Sequence, residues 1–315
     1  MGAHRCASSA TQALLRRNRG GIEAQGVALF LREDLAENAQ KMAVNRLYEY
    51  RFWKPGSQLA VARTSATLAT LSAKTILISE ENLMGIMPGH LGHGFYGKFA
   101  GFCQALSKLS KTVEVHPRLI VRRQDSFIES AYGFRVAFGL REDFREFAAR
   151  FKADEMSWNR MVTAIEKNKL DKHSRIDVLE AWPDEGKTEH LLSFLGLEGV
   201  PLEGGGLRSG NSRFGEEGLA LLLAMNRTGI GLDINWRQQV LFPAFRKADP
   251  PTPELVQQLL GTSDEEIAVL KAALSMPMRF RFKPDERQAL LHALRDENTR
   301  FLAHPLVGVS PEVWA

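Results

Sequence analysis

Arg118-Leu-Ile-Val-Arg-Arg-Gln-Asp-Ser-Phe-Ile-Glu-Ser-Ala-Tyr132 is the stretch with the strongest local signal in the chain. Its first part is a short apolar run that predicts a buried parallel strand over 117–122. The part after it predicts a helix over 126–138, with Ser130 one to two turns inside. A guanidinium at the carboxyl end of a strand and a hydroxyl from the following helix can converge on one phosphate, so Arg122 and Ser130 are candidate ligands. The alternative, equally supported by these residues, is that Arg122 and Arg123 are surface charges and Ser130 packs the helix.

Two other segments also predict strands, the apolar run at 75–79 and the stretch Arg175-Ile-Asp-Val-Leu179. Helical patterns separate the three segments, and residues 33–72 also read as mostly helical. Short apolar strands that alternate with helices indicate an α/β fold with a parallel sheet. We therefore expect three layers, in which a sheet of about four or five strands is flanked by helices.

Length and composition fit one globular domain. The chain has 315 residues, of which 44% are hydrophobic and 25% are charged. We expect a single α/β domain over 1–315, with a core over 1–226 and a helical C-terminal extension over 227–315. The formal net charge of +4 fits either an ordinary surface or a site for a polyanionic ligand. No run of five like charges is present, so a nucleic-acid partner is not expected.

Cysteine usage and hydropathy bear on the compartment. Only Cys6 and Cys103 are present, which favours a reducing environment over a disulfide framework. No window approaches 18 uninterrupted apolar residues, and no apolar leader is seen at the start of the sequence. We expect a cytoplasmic protein without a membrane span.

A loop of small residues opens the sequence, Gly2-Ala-His-Arg-Cys-Ala-Ser-Ser-Ala-Thr-Gln12. Backbone N–H groups of such a loop can surround an anion, and a helix beginning near Ser8 adds the positive end of its dipole. Arg5 supplies a cation, and Ser8 and Ser9 supply hydroxyl donors. The alternative is an ordinary helix N-cap by Ser8 or Ser9, which is the better interpretation of this loop taken alone. We see no acidic residue placed to hold magnesium beside these serines.

A second loop, Gly204-Gly-Gly-Leu-Arg-Ser-Gly-Asn-Ser-Arg213, offers many donors on a glycine-rich backbone. By composition alone, a solvated linker is the better interpretation of this segment.

Taken in order, these three segments resemble the superfamily of sulfotransferases that use 3′-phosphoadenosine-5′-phosphosulfate (PAPS). The opening loop is similar to the family's 5′-phosphosulfate loop, and the stretch Ile120–Tyr132 is similar to its 3′-phosphate motif, with the spacing from Arg122 to Ser130 kept. The passage Ile176–Glu185, followed by Leu191-Leu-Ser-Phe-Leu-Gly-Leu197, looks like another of the family's signatures. The resemblance covers roughly residues 2 to 226.

The resemblance implies a P-loop NTPase-like fold and PAPS as co-substrate, without a metal. It assigns donor binding to three loops: His4, Arg5, Cys6, Ala7, Ser8 and Ser9; Arg122 and Ser130; and Arg208, Asn211 and Ser212. The sequence starts inside the first motif, so the family's first strand is expected to be truncated. Ala7 stands where the family has a loop glycine, and Gln124 where it has a proline.

Sulfuryl transfer needs an in-line approach, a cationic site for the leaving oxygens and a base for the acceptor. Arg5 is the expected cation. Some sulfotransferases have a catalytic glutamate after the strand that corresponds to 75–79, where Glu80 and Glu81 stand, with Glu81 slightly preferred. The alternative is that one glutamate caps the next helix and the other is solvated. His90 and His93 are further candidates for the base.

The sequence leaves three functions open. The first is an active sulfotransferase acting on the hydroxyl or amine of a small molecule or glycan. The second is a catalytically impaired nucleotide-binding protein of the same fold that acts as a binding module. The third, a kinase or NTPase, is disfavoured because the Walker pattern with its lysine is absent.

Overall fold

A computed structural model describes residues 3–37, 44, 47, 49–51, 53–89, 94–207, 214–248 and 250–314. The predicted donor ligands Arg208, Asn211 and Ser212 lie outside these residues, as do the candidate bases His90 and His93. The protein is a mostly helical α/β structure with four short strands.

The strands are β1 (Val27–Phe30), β2 (Thr75–Ile78), β3 (Arg118–Val121) and β4 (Arg175–Val178). All the pairing is parallel, β1 with β2 and β3 with β4. The three predicted strands are therefore confirmed, each one or two residues shorter than expected. The fourth strand, β1, was not predicted, because four apolar residues are too few to distinguish a strand from a helical turn.

The prediction of one sheet of four or five strands is corrected, since the described strands form two separate two-stranded sheets. Apolar runs specify strands locally, but they do not specify which strands pair. Beside β3, a hydrogen bond is instead made by the opening segment, where the N–H of Ala3 donates to the carbonyl of Ile120 at 2.8 Å. A three-layer sandwich is thus not evident in the described part of the chain.

Sixteen α-helices account for about half of the described residues. They are α1 (Ser8–Arg17), α2 (Arg19–Ala24), α3 (Arg32–Glu37), α4 (Pro55–Ala69), α5 (Phe99–Leu109), α6 (Gln124–Ala137), α7 (Phe144–Ala148), α8 (Asn159–Lys167), α9 (Lys187–Leu195), α10 (Glu216–Thr228), α11 (Ile234–Trp236), α12 (Phe242–Lys247), α13 (Pro253–Leu260), α14 (Asp264–Leu274), α15 (Pro284–Ala293) and α16 (Arg295–Leu302). None of them is long and apolar enough to cross a membrane. Within the described part of 227–315, every regular element is helical.

The chain divides into two compact units. The first comprises Met1–Gln124, Ala153–Asn211 and Leu290–Ala315, and it contains all four strands. Its core includes Leu119, Ile120 and Val121 of β3, which are at most 3% exposed. Burial of this continuous apolar run explains why the segment forms a strand covered on both faces.

The second unit comprises Asp125–Lys152 and Ser212–Ala289, and its described residues are helical or irregular. An aromatic cluster forms around Tyr132, whose ring contacts Phe144, Phe147 and Phe280. Asn226 is fully buried in α10, and its amide donates to the carbonyls of Val136 and Leu140. These bonds satisfy two carbonyls at the end of α6, which would be costly to bury without partners.

The glycine-rich loop is attached to the end of α1 where the structure describes it, at 204–207. The guanidinium of Arg17 donates to the carbonyls of Gly204 and Gly206, at 3.1 and 2.8 Å. Asn18 accepts from the N–H of Gly204 at 2.8 Å, and its amide donates to Gly205. The interpretation as a solvated linker is therefore wrong for these four residues.

This attachment requires glycine at 204. A Cβ there would lie 2.6 Å from both the Cβ and the carbonyl oxygen of Arg17. We expect Gly204→Ala to lower the free energy of unfolding by about 1–3 kcal/mol, as other overpacked contacts do. Chemical denaturation measures this change. Gly20→Ala is the matched control because a Cβ at Gly20, in α2, meets nothing within 4 Å. Equal stability of the two variants would contradict the described packing.

Candidate functional site

The opening segment is fastened to the carboxyl end of β3. After Ala3 donates to Ile120, the chain turns back, and the N–H of Cys6 donates to the carbonyl of Ala3 at 3.0 Å. Helix α1 then begins at Ser8, and its first turn closes with the N–H of Thr11 on the carbonyl of Ala7. The small residues predicted to form an anion-binding loop thus form a tight turn that leads into a helix.

Two residues of this turn have left-handed backbone conformations. The φ angles of Arg5 and Ala7 are 64° and 59°, a region that non-glycine residues seldom occupy. In an anion-binding nest, alternating left- and right-handed residues turn successive N–H groups toward one point. Here one of these groups, the N–H of Cys6, donates to the carbonyl of Ala3. The amides at the start of α1 face the same way as any helix N-terminus, outward from the first turn.

The N-cap interpretation of the serines is wrong. Ala7 is the N-cap residue of α1, and no side chain caps it. Ser8 lies inside the first turn and is buried, whereas Ser9 is exposed. The first amides of α1 are therefore not satisfied by a serine side chain.

Two arginines meet at this turn. Arg122 directly follows β3, and its Nη1 donates to the carbonyl of Arg5 at 3.1 Å. Burial is the main cause that lowers the pKa of Arg5; the charge of Glu81 opposes this shift, and the charge of Arg122 adds to it. An arginine stays protonated in proteins, so the turn has two neighbouring cations, one of them partly removed from water.

A carboxylate lies beside the turn as well. The hydroxyl of Ser8 donates to Glu81, which follows β2 after Ser79 and Glu80. The sequence showed no acidic residue placed to hold magnesium beside the serines, and the structure places the carboxylate of Glu81 next to Ser8. Glu81 is half-buried rather than fully solvated, and its charge acts on Arg5.

The neighbouring glutamate has a structural position. Glu80 is 2% exposed, and its carboxylate accepts from the N–H of Asn82 at 2.8 Å, so it caps the short 3-10 turn that follows. Burial is the main cause that raises the pKa of Glu80; the Asn82 amide and Arg32, whose Nε lies 3.8 Å from the carboxylate, oppose this shift. One half of the alternative interpretation, a capping glutamate, is thus correct for Glu80.

Sequence reasoning missed Tyr96 and Asn82, two residues that hold the turn in place through their contacts with His4. The N–H of His4 donates to the hydroxyl of Tyr96 at 2.9 Å, and its ring stacks on Tyr96. The Nε2 of His4 lies 3.3 Å from Oδ1 of Asn82. His4 therefore contacts the protein on both sides. No signal in the sequence linked it to a tyrosine 92 residues away.

Glu180 is the third residue that was missed. It accepts from the N–H of Arg123 and from Nε1 of Trp314, and it lies 3.8 Å from Nε of Arg122. The strand register offers a signal that could have found it. Because Val121 pairs with Val178, Glu180 stands level with Arg123, two positions beyond the end of the neighbouring strand.

The structure brings Arg5, Ser8, Glu81 and Arg122 together in the first unit. Ser130 is buried in α6 and belongs to the second unit. Cys6 is fully buried, and burial raises the pKa of its thiol, so it contributes backbone rather than a reactive sulfur. Neither models of protein families, nor curated protein sequences, nor solved structures match this chain.

Because Ala7 is left-handed, we expect a glycine at this position to stabilise the protein. A left-handed conformation costs an L-residue other than glycine roughly 1–2 kcal/mol. Glycine avoids this cost, but it makes the unfolded chain more flexible, which cancels part of the gain in stability. We expect Ala7→Gly to raise the free energy of unfolding by about 0.5–1 kcal/mol, measured by chemical denaturation. Ala10→Gly, in the first turn of α1, is the control and should lower it by a similar amount. Destabilisation by both variants would show that Ala7 is not left-handed.

Proposed function

We propose that the chain is a PAPS-dependent sulfotransferase, and that it acts in the cytoplasm on a hydroxyl or amine of a small molecule or glycan. The observation that carries the proposal is the turn at 3–9, in which left-handed Arg5 and Ala7 lead into the start of α1 while Arg122 contacts the carbonyl of Arg5. Backbone amides, a helix N-terminus and two guanidiniums at the carboxyl end of a parallel strand form a suitable environment for a phosphosulfate.

In this proposal the donor lies along the turn. The amides that begin α1, with Arg5, Ser8 and Ser9, bind the 5′-phosphosulfate. Arg122 binds the 3′-phosphate.

The reaction proceeds by attack of the acceptor oxygen or nitrogen on sulfur. The bond between sulfur and the bridging phosphate oxygen breaks, and adenosine 3′,5′-bisphosphate leaves with the electron pair. Arg5 stabilises the charge on the leaving oxygens. Glu81 takes the proton of the acceptor, since its carboxylate lies at the turn while Glu80 is occupied in capping.

The proposal also has a consequence for the architecture. It implies a P-loop-like fold, of which the described strands form two separate parallel pairs. Ala3 would then lie beside β3. The hydrogen bond from Ala3 to Ile120 supports this position.

A binding module without catalysis is the second candidate, and one observation favours it. Groups expected to meet the donor already have protein partners: Ser8 donates to Glu81, and Arg122 contacts both Arg5 and Glu180. An anion must compete with these contacts, which reduces the binding energy left for the transition state.

Donor recognition tests both candidates. We expect adenosine 3′,5′-bisphosphate and PAPS to bind more tightly than adenosine 5′-phosphosulfate or ATP in titration calorimetry, because a 3′-phosphate reaches Arg122. Arg122→Ala should weaken the bisphosphate by about 1.5–3 kcal/mol, the range for a hydrogen bond to a charged group. Arg123→Ala removes the same charge one residue along and serves as the control. Equal affinity with and without the 3′-phosphate would contradict the assignment.

Turnover separates the two candidates. Sulfate transfer from labelled PAPS to a panel of alcohols, phenols, amines and sugars measures it. We expect Glu81→Gln to lower the rate by about 10²–10⁴-fold, since a positioned base contributes that much. Thermal melting and calorimetry should show that the variant still folds and still binds the bisphosphate.

Glu80→Gln is the matched control and should keep the wild-type rate. A Glu81→Gln variant that is fully active would remove Glu81 as the base. A wild-type chain that binds the bisphosphate but transfers no sulfate to any acceptor would favour the binding module.

A further inference from the structure

A cluster of three metal-binding side chains lies at the other end of β3 and β4. The Oε1 of Glu114 is 2.9 Å from Nε2 of His116 and 3.3 Å from Nδ1 of His173. The two imidazole rings are 4.9 Å apart between centroids. Among the described residues, this is the one group of three histidine, cysteine or acidic side chains close enough to hold a metal ion.

The strand pairing explains why the two histidines meet. In the β3–β4 ladder Arg118 is opposite Arg175, and each histidine stands two residues before its member of that pair. Residues at equal distances before the two strands, such as His116 and His173, are therefore brought near each other. The N–H of Arg175 donates to the carbonyl of Pro117 at 3.0 Å, which extends the pairing toward the histidines.

Further bonds hold His173 in place. The guanidinium of Arg118 donates to the carbonyl of His173 at 2.6 Å and to that of Phe194 at 2.9 Å. Ser174, which follows, is buried, and its hydroxyl donates to the carbonyl of Leu170 at 2.7 Å. The backbone of His173 is thus held by contacts that do not involve its imidazole.

Two of the three separations between the donor atoms suit a tetrahedral ion, and all three atoms lie within 4.8 Å of one another. Zinc bonds to imidazole nitrogen and carboxylate oxygen are about 2.0–2.1 Å long, which places neighbouring ligand atoms roughly 3.3 Å apart. The two measured separations, 2.9 and 3.3 Å, are close to that value. Two imidazoles and one carboxylate are ligands that zinc and the neighbouring late transition metals prefer, whereas Mg²⁺ and Ca²⁺ prefer oxygen ligands alone.

We propose that Glu114, His116 and His173 form a zinc site that joins the loops preceding β3 and β4. His116 binds through Nε2, His173 through Nδ1 and Glu114 through one carboxylate oxygen. Because all three side chains are at least partly exposed, water completes the coordination. The site stands at the amino ends of the strands, whereas Arg122 follows the carboxyl end of β3, so it does not depend on the proposed sulfotransferase activity.

Zinc binding by the untagged full chain tests the proposal. Titration against a chromophoric chelator should give one zinc per chain, with no comparable binding of Mg²⁺. His116→Ala, His173→Ala and Glu114→Gln should each weaken zinc by roughly tenfold or more, because even second-shell changes cost 10–100-fold. Zinc should also raise the melting temperature of the wild type and not of these variants, since a ligand of the folded state stabilises it.

His304→Ala is the matched control, because the Nε2 of His304 contacts a single carboxylate, that of Glu166, at 3.2 Å. This variant should bind zinc as the wild type does. Nitrogen-15 spectra of the imidazoles should show zinc on Nε2 of His116 and on Nδ1 of His173. Melting without metal checks that every variant folds.

Two results would overturn the proposal. One is the absence of saturable zinc binding by the folded wild type, which would leave Glu114 as a hydrogen-bond acceptor between two histidines. The other is zinc binding of unchanged strength in folded His116→Ala and His173→Ala, which would place the metal elsewhere in the chain.

Discussion

Hydrogen bonding between β3 and β4 fixes the position of residues at both ends of these strands. The register sets Val121 beside Val178, and so places Arg122, Arg123 and Glu180 in one region beyond the carboxyl ends. The same ladder sets Arg118 beside Arg175. A shift of one residue would turn every side chain of β3 to the opposite face and so disrupt the packing of its apolar run. Burial of Leu119, Ile120 and Val121 therefore stabilises this register, and with it both candidate sites.

The conformation of the turn before α1 also depends on the paired strands β3 and β4. Arg5 and Ala7 are held in an unfavourable backbone region, which persists only where neighbouring contacts determine it. Those contacts are the bond from Ala3 to β3 on one side and the first turn of α1 on the other. Strain concentrated in a turn with outward-facing amides is consistent with a preorganised anion site, because the conformation need not form when the ligand arrives.

Electrostatics at the turn are nearly balanced before any ligand is present. Burial makes the charge of Arg5 costly, and Glu81 offsets part of that cost. Arg122 has Glu180 as a partial counter-charge at 3.8 Å. A doubly charged phosphate could replace these weak or solvent-accessible interactions with stronger charge-assisted hydrogen bonds. The net gain in free energy decides how tightly the turn binds a nucleotide.

The sequence by itself determined where β2, β3 and β4 lie, because β2 and β3 contain apolar runs bounded by polar residues and β4 contains Ile176 and Val178. It placed Arg122 at the end of a strand. It also determined that the opening residues form a loop before a helix. Only the tertiary structure decided that Glu80 caps a turn while Glu81 contacts Ser8. Two adjacent glutamates have the same side chain, so the sequence does not show which partner each one has. Strand pairing and packing also bring together segments that are distant in sequence. Examples are the contact of His4 with Tyr96 and the contact of Glu114 with His173. A linear pattern records helix and strand periodicity, but partners distant in sequence are chosen by the register of β3 and β4 and by what is buried around them.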